Sequence, residues 1–335
     1  MGPADVCQRY DMFTWKKLGR VFNPREIGSR SWLHEFAQAP CTLLFDEFVR
    51  VYFSCRPPPD ENGQYRSYTA FVDLNRSNLF EILHLSAQPI LPLGGLGEFD
   101  EFGIYPASVI REGRNVLAYY GGWTRCESVP FNVAIGAAKS LDGGETFQKR
   151  GRGPVLSYSA DEPFVLSGPK IRRFGDRWYL FYIAGRQWKL VEGRPEPVYK
   201  IRMASSDDGI AWSKVGRDLI ESRLEEDEAQ ASPDVLLRDG RYHMFFCYRR
   251  SANFRGRENG YRIGYAASDD LSHWTRDDSK AGSSHRALTT SGGADESSER
   301  HSRHNRNRAL CGRCLTSRGR QVYYADRGGK ESATW

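Results

Sequence analysis

The sequence predicts an all-β protein of the β-propeller class, and three observations carry that expectation. A short unit recurs four times, with one or more carboxylates five to eight residues ahead of a proline and an apolar strand after it. The copies run from His34-Glu35 to Pro40, from Asp100-Glu101 to Pro106, from Asp161-Glu162 to Pro169 and from Asp227-Glu228 to Pro233. Each copy then turns into a second strand rich in aromatic and β-branched residues, which suit a pleated, buried surface. Three copies end in a turn built on a serine and an aspartate two residues apart: Ser140 and Asp142, Ser206 and Asp208, Ser268 and Asp270. Repetition of one supersecondary unit is how a propeller looks in sequence, because radial packing presents equivalent positions to one axis.

The elements follow in order. In the first unit, residues 42–45 make the inner strand, Asp46 and Glu47 the turn, and residues 49–53 the second strand. The second unit repeats this with 107–110, 111–113 and 116–120, the third with 170–171, 174–176 and 178–182, and the fourth with 234–237, 238–240 and 242–246. Third strands are expected at 134–138, 201–204 and 261–265, with a degraded copy in 67–73. Side chains of Ser and Asp bond the following backbone in the closing turns, and the aromatic after each turn anchors an outer strand. Asp142, Asp208 and Asp270 lie 66 and 62 residues apart, beyond the roughly 40–50 residues of common propeller repeats; insertions in the loops account for the excess.

Composition changes near residue 281. Residues 281–335 contain no Ile, Phe or Met and carry 10 Lys+Arg against 5 Asp+Glu, whereas residues 1–280 carry 38 against 37. The net charge of +6 is thus mostly a property of the end of the chain, and the body gives no reason to expect a nucleic-acid partner. We read residues 10–280 as one propeller domain and 281–335 as a basic low-complexity tail, expected to be disordered. No run of about 20 apolar residues marks a membrane span, and the first residues lack the pattern of a signal peptide; a cytoplasmic protein without a membrane partner is the default expectation. The sequence specifies no oligomeric state.

The seven cysteines are odd in number and scattered, and Cys41, Cys55 and Cys247, in or beside strands, read as small buried hydrophobes in a reducing compartment. His301, His304, Cys311 and Cys314 have the ligand types of a zinc site. They sit in Arg/Ser-rich sequence with nothing to pack a zinc module, so no metal is assigned.

The first strand of a blade lies nearest the axis, so Glu35, Asp100, Glu162 and Glu228 are expected to gather at one mouth of the ring. The hairpins return the second-strand ends to that mouth, bringing Arg56, Trp123, Trp188 and Arg249. Carboxylates among Trp, Tyr and Arg are the composition of a sugar site, since aromatic faces stack on sugar rings and polar groups bond the hydroxyls. Two such acids can divide the work of glycosyl transfer, one as general acid and the other as nucleophile or base.

On these blade starts, the Tyr/Phe-rich second strands and turns such as Ser206 to Trp212, the chain resembles the five-bladed β-propeller glycosidases, the superfamily of glycoside hydrolase families 32, 43, 62 and 68, with a more distant likeness to family 130. The resemblance implies five blades, no cofactor, a carbohydrate or glycoside substrate, and three inward acids. Carried over residue by residue, the matching positions are Glu35, where the family has Asp, Asp100 or Glu101, Asp161 or Glu162, and Glu228, four positions for the three roles; Arg56, Trp123, Trp188 and Arg249, from the strand ends, are the expected substrate-binding residues. The chain departs from the family after Asp278, where a fifth inner strand should begin and Ser/Arg/Gly-rich sequence follows; the fifth blade is missing or degenerate. Phe13, Trp15, Val21 and Phe22 are candidates for an N-terminal strand that pairs with the last blade. The expected function is glycoside hydrolysis, with a phosphate-using phosphorylase and a non-catalytic carbohydrate-binding propeller as alternatives.

Overall fold

The computed structural model describes residues 13, 15, 18–28, 30–224, 227–252, 254 and 260–281. Residues 282–335, with the His and Cys pairs of the tail, lie outside the described residues. The described residues form four antiparallel sheets of four strands each, laid side by side in chain order. Blade 1 holds β1 (Glu35–Leu44), β2 (Phe48–Arg56), β3 (Tyr68–Asn75) and β4 (Ile82–Leu85). Blade 2 holds β5 (Gly103–Glu112), β6 (Asn115–Thr124), β7 (Asn132–Ser140) and β8 (Gln148–Lys149). Blade 3 holds β9 (Phe164–Phe174), β10 (Arg177–Val191), β11 (Arg194–Ser206) and β12 (Ser213–Lys214), and blade 4 holds β13 (Ala229–Arg238), β14 (Arg241–Arg249), β15 (Arg262–Ser268) and β16 (Thr275–Arg276). Tight hairpins make this meander possible: between β13 and β14, Asp239 and Gly240 take φ of 51° and 76°, the pair of left-handed residues whose twist matches that of the flanking strands.

Alternation sends successive side chains of each strand to opposite faces, and every inner blade is apolar on both. Tyr52 and Phe71 of blade 1 meet Ile104, Val116 and Tyr120 of blade 2. Tyr119 and Ile135 of blade 2 meet Ile171, Trp178 and Leu180 of blade 3, and Phe181 and Met203 of blade 3 meet Val235, Met244 and Phe246 of blade 4. Hydrogen bonds stitch the blades as well. Ser140 and Asp142 close their turn as expected, with Ser140 Oγ donating to Asp142 at 2.6 Å and the Gly144 amide donating to Ser140 Oγ at 2.8 Å. Tyr52 of the preceding blade donates to the Gly144 carbonyl at 2.8 Å, and Tyr119 donates to the Gly209 carbonyl of the next such turn at 2.6 Å.

The described residues therefore form an all-β propeller fold with four blades; the fifth blade that the resemblance implied is not among them. The outer faces of blades 4 and 1, where a further sheet would pack, are met by the N-terminal segment. Phe13 packs edge-on against Phe245 and His243 of blade 4, at 5.0 and 5.2 Å, and Trp15 donates to the Ala281 carbonyl at 2.6 Å. Further on, Val21, Phe22 and Ile27 pack against Phe53, Ala70 and Val72 of blade 1. These residues form no strand with blade 4, contrary to the expectation; they contribute side chains rather than a hydrogen-bonded ladder. Phe13→Ala should lower stability by about 3 kcal/mol, as for other buried Phe truncations, measured by denaturant unfolding.

The same contact gives a pH dependence. Burial holds the His243 imidazole below its ordinary value of 6.5, so unfolding takes up a proton between the two values. Stability is full above about pH 6.5 and is lost as the pH falls below it. A His243→Gln variant should flatten that acid limb in thermal melts. Among the described residues no helix is long and apolar enough to cross a membrane.

Candidate functional site

All four first strands break in the same way at their Xaa-Pro pair. In β1 the register jumps from Gln38↔Ser54 to Cys41↔Tyr52, so Ala39 and Pro40 together face Phe53. Tyr105 and Pro106 do so in β5, Gly168 and Pro169 in β9, and Ser232 and Pro233 in β13. Ala39, Gly168 and Ser232 take φ of 49°, 61° and 51°. A two-for-one bulge bends its strand and re-aims side chains, and proline, which has no amide to give the ladder, is tolerated there.

The bulges converge on a cavity of about 320 Å³, lined by Ala39, Tyr105, Gly168 and Ser232, one from each blade. Its walls are aromatic, with Trp123, Phe131, Tyr199, Phe254 and Tyr261 among the lining residues. The long β10–β11 hairpin runs beyond the lengths of the other blades and forms one side through Gly193, Arg194 and Glu196. Trp188 on that hairpin packs against Phe131 at 5.4 Å, which fixes the hairpin to blade 2. The volume is at the low end of the roughly 300–1,000 Å³ usual for small-molecule sites, room for about one sugar ring and its substituents.

The expected acids lie elsewhere. Asp100, Glu162 and Glu228 are each 0% exposed, yet none lines the cavity; each folds onto the outer strands of its own blade. Asp100 pairs with Lys149 of β8 at 2.6 Å and accepts from Tyr120 of β6 at 3.1 Å. Glu162 pairs with Arg202 of β11 at 3.1 Å and Lys214 of β12 at 2.6 Å, and accepts from Tyr182 of β10 at 2.9 Å. Glu228 accepts from Arg276 of β16 at 2.7 Å and from the Arg223 and Leu224 amides at 3.1 and 3.0 Å. The segment entering each blade lies across the blade face, and the acid pins it there. A Cβ at Gly122 would come within 2.5 Å of Asp100 Cβ, which is why β6 carries glycine under the crossing. Burial pushes the Tyr120 and Tyr182 phenols up, with the neighbouring carboxylates adding to it. Glu35 differs: its side chain is 20% exposed and pairs with half-exposed Arg25.

Of the expected binding residues, Trp123 and Arg249 do line the cavity. Trp123 is fixed by donating Nε1 to Ser67 Oγ at 2.6 Å. Trp188 stands one layer back, behind Phe131, and Arg56 is buried in blade 1 between Phe36 and Tyr65. Sequence reasoning missed Glu196, Tyr199 and the bulge residues Tyr105 and Ser232. The prolines marked the bulges in every unit; nothing in the sequence marked the hairpin that carries Glu196. Among the described residues no cluster of His, Cys, Asp and Glu is placed to hold a metal ion. Cys41, Cys55 and Cys126 are free thiols, and burial pushes Cys55 up.

No protein-family model matches the chain. Solved structures with the same fold include one from work on the GH130 family of mannoside phosphorylases, which contains glycoside hydrolases that target beta-1,2 mannosidic linkages in Candida mannan. It is 13% identical, with a TM-score of 0.62 over 85% of this chain and 84% of that one. A thermostable family-43 glycoside hydrolase is 15% identical, with a TM-score of 0.52 over 72% of this chain and 71% of its own. The Bombyx mori GH32 beta-fructofuranosidase BmSUC1 is 18% identical, with a TM-score of 0.52 over 72% of this chain and 47% of its own. At these identities the likeness is one of fold. In sequence, two curated relatives from Mycobacterium tuberculosis, the uncharacterized proteins MT1551 and Rv1502, are each 33% identical over 261 residues, covering 78% of this chain and 81% of the relative. At that identity and coverage, this chain belongs to the family of the Mycobacterium tuberculosis proteins MT1551 and Rv1502.

Proposed function

We propose that this propeller binds a carbohydrate in its axial cavity and does not hydrolyse it with paired carboxylates. One observation carries the reading: the four bulge positions that the fold turns to the axis are Ala39, Tyr105, Gly168 and Ser232, none of them an acid, in a cavity with aromatic walls. Aromatic rings that line such a cavity suit the apolar faces of sugar rings. Hydrolysis of a glycoside calls for two carboxylates about 5–10 Å apart across the scissile bond, and among the described lining residues Glu196 alone is a carboxylate. The carbohydrate class is supported by the fold shared with glycoside hydrolases. The test is a panel of mono- and oligosaccharides in thermal-shift assays beside an aryl-glycoside turnover assay. Upward shifts without turnover are the expected result, and turnover abolished by Asp100→Asn with an unchanged melt would overturn the reading.

A second reading has its own observation: Glu196 and the buried Arg249 border the same cavity. In phosphorolysis phosphate attacks the anomeric carbon, the glycosidic bond breaks and one carboxylic acid protonates the departing oxygen, so a single acid beside a cation suffices. Release of a sugar 1-phosphate only when phosphate is supplied would establish it.

A further inference from the structure

Arg249, at the end of β14, is 2% exposed and borders the cavity. Its guanidinium bonds neutral groups: Nε donates to the Tyr261 hydroxyl at 3.1 Å, Nη1 to the Arg250 carbonyl at 2.9 Å, and Nη2 to the Pro197 carbonyl at 3.3 Å and the Tyr199 hydroxyl at 3.4 Å. The Phe254 ring lies 3.6 Å from its central carbon. Among the described residues no carboxylate pairs with it.

Four of the other five buried arginines make the contrast, the fifth being Arg56 between its two rings. Arg50 pairs with Asp73 at 2.7 Å, Arg202 with Glu162 and Asp218 at 3.1 and 2.9 Å, Arg276 with Glu228 and Asp278 at 2.7 and 3.0 Å, and Arg172 with Asp234. The described residues thus supply a counter-ion to each of these four, and dipoles and ring faces to the one at the cavity. An arginine stays charged in a protein and offers five N–H donors; four are used here, which leaves one on Nη1 without an acceptor among the described residues. Dipoles and π faces offset part of the desolvation cost of a buried cation but do not cancel its charge. Burial pushes the Tyr199 phenol up, so that hydroxyl supplies no negative charge either. Arg194 adds a second cation at the cavity lining, and Glu196, the carboxylate beside it, is itself engaged.

We propose that the cavity selects an anionic sugar, a ring bearing a carboxylate or a phosphate, with Arg249 as its counter-charge. This rests on the carbohydrate reading above. Charge-assisted bonds to guanidinium are about twice as strong as neutral ones, and the oxygens of carboxylate and phosphate alike accept them.

The experiment titrates the purified full chain with matched sets: glucose, glucuronate and glucose 6-phosphate; galactose and galacturonate; mannose and mannose 6-phosphate; and inorganic phosphate alone. At least one charged sugar should bind about tenfold or more tightly than its neutral parent, with the advantage shrinking at high salt. Uronate preference assigns the carboxylate, and preference for sugar phosphates, with or without inorganic phosphate, assigns the phosphate. Arg249→Gln should bring charged and neutral sugars level, read as loss of the charged-over-neutral affinity ratio. Should that variant not fold, Ser232→Glu adds a carboxylate to the cavity wall at a half-buried position and should lower the charged-over-neutral affinity ratio. Equal affinity for charged and neutral sugars in the unmodified chain would overturn this inference and leave the carbohydrate reading standing; binding of no sugar would overturn both.

Discussion

Glu162→Ala should cost about 3–5 kcal/mol of stability, the usual penalty for breaking a buried ion pair from one side. The side chain is 0% exposed and answers two cations, Arg202 and Lys214, as well as the Tyr182 hydroxyl. Its loss leaves Lys214 without that carboxylate and Arg202 with Asp218 alone. For a chain of this size the melting temperature should fall by about 5–15 °C. Part of the loss should return in a Glu162→Ala, Lys214→Met double variant, because removing both partners is milder than stranding one. Glu35→Ala, on a surface pair with Arg25, should change stability by less than about 1 kcal/mol. A catalytic role for these acids predicts the reverse order, with melts unchanged and turnover gone.

The second large effect belongs to the cavity. Ser232→Trp should reduce sugar affinity by about a hundredfold or more while leaving the melting temperature within a few degrees, read by calorimetric titration beside a thermal melt. Ser232 already has a φ of 51°, so its Cβ already carries left-handed strain, and the bulkier indole adds only part of the roughly 1–3 kcal/mol that such a position costs. Its side chain is half-buried at the wall of a cavity of about 320 Å³, and an indole fills most of the space that one sugar ring would need. The loss is steric, so salt should not restore binding, which separates this effect from that of Arg249.

Much of the architecture was legible because it rests on local signals. Aromatic second strands such as residues 178–182, Asp239-Gly240 at a hairpin and the Ser206–Asp208 turn each dictate a local shape, and four repetitions dictate a propeller. The number five came from the resemblance, and the described residues hold four blades. The placement of the acids was harder, since acid and proline recur together yet point to different places. Their spacing varied, from Asp100 to Pro106, Glu162 to Pro169 and Glu228 to Pro233, which two groups facing one axis together would not be expected to tolerate. Another spacing was constant: Asp100 to Tyr120, Glu162 to Tyr182 and Glu228 to Tyr248 are each 20 residues. In the structure Tyr120 and Tyr182 donate to those acids, and Tyr248 lies under the Arg276 that bonds Glu228, 4.3 Å from its central carbon. A fixed offset to a residue of the second strand marks a contact within the blade, and that signal was in the sequence. Glu196 left none, because its hairpin occurs in blade 3 alone and repeats teach nothing about an insertion.

The measurement that bears most directly on this account is one set of thermal melts, with and without the sugar panel, on the unmodified chain, Glu162→Ala and Ser232→Trp. The account expects Glu162→Ala to melt about 5–15 °C lower yet keep its upward shift with sugar, and Ser232→Trp to melt normally yet lose the shift. A Glu162→Ala chain that melts normally and loses its response to sugar, beside a Ser232→Trp chain that keeps it, would contradict the account and return the site to the blade acids.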